Sequence, residues 1–179
     1  MARVWFEVTI RGNFNVLTSF QPRAAPDASV IHVSSSAFHL QYMPGYSAYR
    51  ASKSAATKVF EYFSHENPRL FVLQVHPDLI LGTTMSEKFG KSAVDSGLVP
   101  DDIELSGDFA VWAVSKEARF LNRRFSWANW DVEELQVDKK IIEANSSKFT
   151  VGLSGWLDHS KGFPIKIISN NVSKTIMTL

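Results

Sequence analysis

Apolar residues recur along the first twenty positions at helical spacing. Phe6, Ile10, Phe14 and Leu17 fall four, four and three residues apart, one stripe of a helix predicted over 4–20. Val8, Val16 and Phe20 lie off that stripe, so a second face is apolar and needs cover of its own. Pro22 and Pro26 end the helix. Val30, Ile31 and Val33 then run into Ser34, Ser35 and Ser36, which predicts a buried strand opening into a polar loop. Residues 45–67 read as a second helix, stopped by Pro68, with Ala48, Ala51 and Ala55 as a small-residue stripe able to lie close to a sheet. The following "RLFVLQVHP" has almost no polar alternation, as expected of a strand covered on both faces. Strand, helix and strand in this order predict a right-handed parallel crossover.

Beyond Pro77 the pattern gives a loop and short helical pieces up to Pro100. Leu105, Phe109, Trp112 and Ala113 mark another amphipathic helix, and "RRFSWANWD" a short aromatic strand. Asp131 followed by Glu134 resembles a capping box and predicts a helix running to about Ala144. From 157 to 179 the character changes to lysines without acids around the β-prone "IKIIS", so this stretch is set apart as an atypical tail.

Composition narrows the function classes. The 179 residues are 45% hydrophobic and 21% charged, ordinary for one globular unit. A net charge of +1 gives no reason to expect nucleic acid or an anionic membrane as partner. With no cysteine there is no disulfide framework and no thiolate metal site. The five histidines, His32, His39, His65, His76 and His159, show no paired spacing on one helix face, so no metal is expected. No segment reaches the roughly 18 apolar residues of a membrane span, and a cytoplasmic location is the expectation.

Candidate chemistry is concentrated in "HVSSSAFHLQYMPGYSAYRASKSAA". On a helix, Tyr49 and Lys53 stand one turn apart on the same face. A free phenol, with pKa near 10, is a poor base at neutral pH. An ammonium about 4 Å away, at an effective dielectric of about 20, would favour the phenolate by roughly 4 kcal/mol, enough to lower that pKa by up to about 3 units before desolvation is subtracted. A hydroxyl upstream would then polarise a carbonyl while Tyr49 delivers or takes the proton.

A serine-rich strand end, a loop of about a dozen residues and Tyr-x-x-x-Lys within "YSAYRASKSAA" resemble the active site of the short-chain dehydrogenase/reductase family. The opening "FEVTIRGNFNVLTSFQP", the strand "FVLQVHPD" and "EARFLNRRFSWANWDVEEL" resemble further blocks of that family in the same order, the last in a wording typical of fungal members. The resemblance covers residues 3 to 156 and implies the carboxy-terminal part of a Rossmann-type α/β fold, a partial doubly wound parallel sheet of about three strands with flanking helices. It implies an NAD(P)-dependent oxidoreductase acting on a carbonyl or alcohol, with Tyr49 as acid/base and Lys53 lowering its pKa and holding the nicotinamide ribose. Ser35 or Ser36 would be the catalytic serine, with Ser35 slightly favoured by the loop length. Pro77 and Thr83 or Thr84 would meet the nicotinamide.

Three departures from the family pattern bear on activity. Thr9 stands where an asparagine supports a proton relay. Pro77-Asp78 replaces Pro-Gly, and Asp tolerates poorly the backbone conformations that Gly allows there. The glycines fall at 12, 45, 82, 90, 97, 107, 152, 155 and 162, no two of them two apart, so a glycine-rich phosphate loop is absent from these residues. The expectation is therefore a truncated oxidoreductase chain. The alternative is an inactive fragment or an interaction module that associates, with itself or a relative, through helices 4–20 and 45–67.

Overall fold

The computed structural model describes residues 2–95 and 97–152. The atypical tail at 157–179 lies outside the described residues. Three parallel strands form one sheet in the order β1-β2-β3: β1 (Ser29–Val33), β2 (Phe71–His76) and β3 (Phe125–Trp127). Ser29 faces Phe71 and Val33 faces Val75 across the first pair, while Gln74 faces Phe125 and His76 faces Trp127 across the second. The parallel crossover predicted from the pattern is present, with α3 (Ser47–Glu66) between β1 and β2.

β2 is the axis of the fold because its residues alternate between two cores. Phe71, Leu73 and Val75 pack on one face with Phe109 and Ala113 of α5 (Ile103–Ala113), Leu121, and Leu135 and Ile142 of α6 (Val132–Val137) and α7 (Lys139–Ala144). Leu70 and Val72 pack on the other with Leu17 of α2 (Asn13–Phe20) and Phe60 and Phe63 of α3. Both faces of the strand are thus dry, which is why its sequence lacks alternation. Asp131 caps α6 as expected, its side chain accepting from the amides of Glu133 at 2.7 Å and Glu134 at 3.1 Å. The predicted single helix to Ala144 is interrupted at Asp138 into α6 and α7.

Two expectations are corrected in detail. The opening helix is not uniform: α1 (Ala2–Trp5) passes through a π-helical stretch, Phe6–Gly12, into α2, and a 3-10 turn over Gln21–Arg23 ends it. Of its apolar stripe only Leu17 is buried, and the buried residue of the π stretch is Thr9. Phe6, Phe14, Val8 and Val16 remain exposed. On α3, the face turned to the sheet is Ser52, Ala56, Thr57, Phe60, Phe63 and Ser64, not the alanine stripe, of which Ala51 is exposed.

Candidate active site

The carboxyl ends of the three strands open on one cavity of about 250 Å³, the position at which parallel α/β sheets hold ligands. Ser34, Ser35 and Ser36 reach it from β1, His76, Pro77 and Asp78 from β2, and Trp127 from β3. Tyr46 and Tyr49 enter from the start of α3, and Leu40, Met43 and Met85 supply apolar wall. A larger cavity of about 540 Å³ lies around the start of β3, between Arg123, Arg124 and His65, and holds none of the predicted site residues.

Each predicted residue can now be placed. The side chain of Ser35, not Ser36, hydrogen-bonds the Tyr49 phenol. Its Oγ also accepts from the Ala37 amide at 3.2 Å, which fixes the loop as it leaves β1. Ser36 is buried at the start of a 3-10 turn, Ser36–Phe38. Tyr49 and Lys53 share a face of α3, and Lys53 Nζ lies 6.0 Å from the centre of the Tyr49 ring while donating to the Val33 carbonyl at 3.2 Å. Tyr49 lines the cavity, whereas Lys53 does not. Pro77 and Thr83 line it, and Thr84 instead opens α4 (Thr84–Asp95). The Thr83 hydroxyl is engaged locally, 3.1 Å from Ser86 Oγ.

The electrostatics differ from the expectation in sign. Burial pushes the Tyr49 phenol above its ordinary value, and the hydrogen bond from Ser35 offsets this only in part. Lys53 is itself lowered by burial. Spacing along a helix gives proximity, but desolvation of the would-be phenolate outweighs it here. His76 is lowered to about 4 by burial, then by the charges of His39 and Lys53, so it is neutral at pH 7. Its 4.0 Å contact with Asp78 is then not an ion pair. Asp78 takes a φ of 73°, the left-handed conformation that the Pro-Gly pattern anticipates for this position.

Several residues join the site that local patterns did not single out. Trp5 sets its ring edge-on to Tyr49 with centroids 5.1 Å apart, and Tyr46 flanks it at 6.3 Å. Trp127 stands edge-on to His76 at 4.7 Å. These contacts join the opening helix, α3, β2 and β3, which no local pattern foretells. Among the described residues no group of His, Asp and Glu has the arrangement of a metal site.

No family model matches the chain. Curated relatives do. The chain is 34% identical over 151 residues to AacuD of Aspergillus aculeatus, named a short chain dehydrogenase/reductase, covering 83% of this chain and 51% of the relative. It is 30% identical over 152 residues to a short chain dehydrogenase/reductase of Claviceps purpurea, covering 83% and 50%. This chain belongs to the short-chain dehydrogenase/reductase family. It spans about half the length of the curated relatives it matches. Among solved structures, a short-chain dehydrogenase of Streptomyces avermitilis superposes with a TM-score of 0.56 at 22% identity, over 78% of this chain and 57% of that one. A putative oxidoreductase of Escherichia coli gives 0.51 at 19% identity, over 75% and 54%. These likenesses carry the fold, the Rossmann type of the short-chain dehydrogenases. Among the described residues no helix is long and apolar enough to cross a membrane.

Proposed function

We propose that these residues form the proton-transfer part of a cytoplasmic NAD(P)-dependent oxidoreductase that interconverts a carbonyl compound and its alcohol. The observation that carries the reading is the convergence of Ser35, Tyr49, Pro77 and Thr83 on one cavity at the strand ends. Their chemistry suits a nicotinamide nucleoside, because hydroxyls at Tyr49 and Thr83 and the ammonium of Lys53 can meet its amide and ribose. When bound, that group supplies the hydride. The phosphates are another matter, since no glycine-rich loop occurs in these residues.

In the reduction direction Tyr49 hands its proton to the carbonyl oxygen as the carbon gains hydride. A phenol kept neutral by burial is already in the state this step needs. Ser35, hydrogen-bonded to the phenol, polarises the same oxygen. Oxidation runs the step backwards and requires Tyr49 to part with its proton first, which burial opposes and the Lys53 ammonium favours. The test is a chimera in which this chain follows the upstream half of the Aspergillus aculeatus relative. It is expected to oxidise NADH or NADPH in the presence of a panel of ketones, and silence across the panel with a folded chimera would sink the reading.

A second reading is favoured by the exposed apolar face of the opening helix. Val8 and Val16 are 66% and 64% exposed, and Tyr62 of α3 is 66% exposed. Large apolar side chains left exposed on neighbouring helices suit an interaction face. We infer that a second copy, or a full-length relative, packs on it. Light scattering of the chain is expected to give a multiple of 20.1 kDa, returned to one copy by the double variant Val8→Lys with Val16→Lys. A wild-type chain that stays at one copy at high concentration would rule this out.

A further inference from the structure

The cavity of about 540 Å³ at the start of β3 shares no lining residue with the candidate active site and is built around two consecutive arginines. Arg123 and Arg124 stand in the short link between Leu121 and β3, and β2 fixes that link. The Arg123 amide donates to the Val72 carbonyl at 2.8 Å, and the Gln74 amide to the Arg124 carbonyl at 3.0 Å. The Val72 amide donates to Asn122 Oδ1 at 2.9 Å, which leaves the Nδ2 of Asn122 to donate. The wall formed by residues 146–151 is tied down as well. The Phe125 amide donates to the Phe149 carbonyl at 2.7 Å, and Lys58 of α3 to the Val151 carbonyl at 2.9 Å.

Arg124 is only 9% exposed. Its Nη1 donates to the Ser146 carbonyl at 2.6 Å and its Nη2 to the Ile142 carbonyl at 2.9 Å, so neutral groups around the end of α7 hold a full positive charge. Its Nε is buried without a hydrogen-bond partner among the described residues, and so is the Nε of Arg123. Among the described residues no ion pair reaches either arginine. Glu61 also lines the cavity, but it is paired with Lys58 at 2.7 Å. The fixed charges here are thus Arg123, Arg124 and Lys58 against Glu61, an excess of cation. Buried charge is costly unless an opposite charge meets it. The Ser147 and Thr150 hydroxyls are already given away, to Asn145 Oδ1 and to the Ser147 carbonyl, each at 2.8 Å. Arg123 also takes a φ of 65°, the left-handed region that favours glycine, and strain of this kind collects where a side chain is put to use.

We propose that this cavity is a second ligand site, in which Arg123 and Arg124 grip the phosphate group of a small phosphorylated molecule. A guanidinium offers a planar fork of donors matched to such oxygens. Two of them side by side favour an oxyanion with more than one charge, which selects phosphate over a lone carboxylate. Arg124, clamped by its two carbonyls, presents Nε, and Arg123, whose guanidinium is uncommitted among the described residues, closes on the group. The cavity lies within the roughly 300–1,000 Å³ of small-molecule sites and exceeds what a bare ion fills, so the phosphate is carried on an organic body. Phe125 and Val151 give that body an apolar wall. The site stands whether or not Tyr49 transfers a proton.

The test is NMR of the arginine Nε–H groups of the 179-residue chain, titrated with inorganic phosphate, with glycerol phosphate, and with sodium chloride at matched ionic strength. The Arg123 and Arg124 signals are expected to shift saturably with both phosphates and not with chloride, glycerol phosphate saturating at the lower concentration. Arg123→Gly should weaken binding about tenfold or more. It should leave the urea midpoint equal or higher, because glycine suits the φ of 65°, whereas loss of a merely structural arginine would lower it. Arg123→Gln, which keeps most of the bulk without the charge, should lose binding alike. Absence of a saturable shift, or one that chloride reproduces, would sink the site. Saturation that survives both variants, or inorganic phosphate bound while glycerol phosphate is refused, would mark an adventitious ion only and equally overturn it.

Discussion

Tyr49→Phe in the chimeric enzyme is expected to lower kcat by about 10²–10⁴-fold, with KM for the carbonyl compound nearly unchanged. That range is what a positioned general acid contributes, roughly 3–5 kcal/mol of barrier. The substitution is conservative for the fold. The phenyl ring keeps the edge-on contact with Trp5 and the approach to Tyr46, both of which involve the ring and not the hydroxyl. What is lost is the proton and the hydrogen bond with Ser35. A group that acts on the reacting oxygen only as charge develops should lower kcat and kcat/KM together. The pH profile adds a second readout. Because burial raises the Tyr49 phenol, wild-type reduction should hold level through neutral pH and fall only above the ordinary phenol range of about 10, and the variant's residual rate should lack that alkaline limb. A Phe variant with full turnover would remove Tyr49 from the chemistry. One with raised KM and intact kcat would assign it to binding alone.

The sequence carries the sheet and the crossing helix because their signals are strong and local. Val30, Ile31 and Val33, the run from Leu70 to Val75 interrupted only by Gln74, and Pro68 as a stop leave little choice of element. Which face of α3 is buried was not legible, and the reason is physical. Its inward residues include Ser52, Thr57 and Ser64, whose hydroxyls are satisfied locally by the carbonyls of Tyr49 and Glu61 and by Ser34. A hydroxyl with a partner is buried at little cost, so polarity stops marking the outside. The opening helix shows the converse limit: periodicity locates an apolar face but does not say that anything covers it, and Phe6 and Phe14 stay exposed.

The site divides in the same way. Tyr49 and Lys53 are readable from spacing, and the left-handed turn at Asp78 from the place where glycine is expected. The sign of the Tyr49 shift is not, since spacing reports a neighbouring charge while burial depends on Trp5, Tyr46 and the serine loop folding over the ring.

The largest expected effect on stability is at Leu73. This residue is fully buried at the middle of β2, paired to Ile31 on β1 and packed in the core shared with α5, α6 and α7. Leu73→Ala removes the apolar burial and leaves a cavity walled by residues of several elements, which limits how far they can relax. The expected cost is about 2–5 kcal/mol. A domain of this size has only about 5–15 kcal/mol in hand, so the variant should unfold at a urea midpoint lower by roughly 1–2 M, read by tryptophan fluorescence with unchanged slope. Val111→Ala on α5 is the control: at 72% exposure it should move stability by less than about 0.5 kcal/mol. Equal effects at the two positions would mean that β2 is not the axis of the core, and with it would go the argument that this strand delivers His76, Pro77 and Asp78 to the cavity in fixed register.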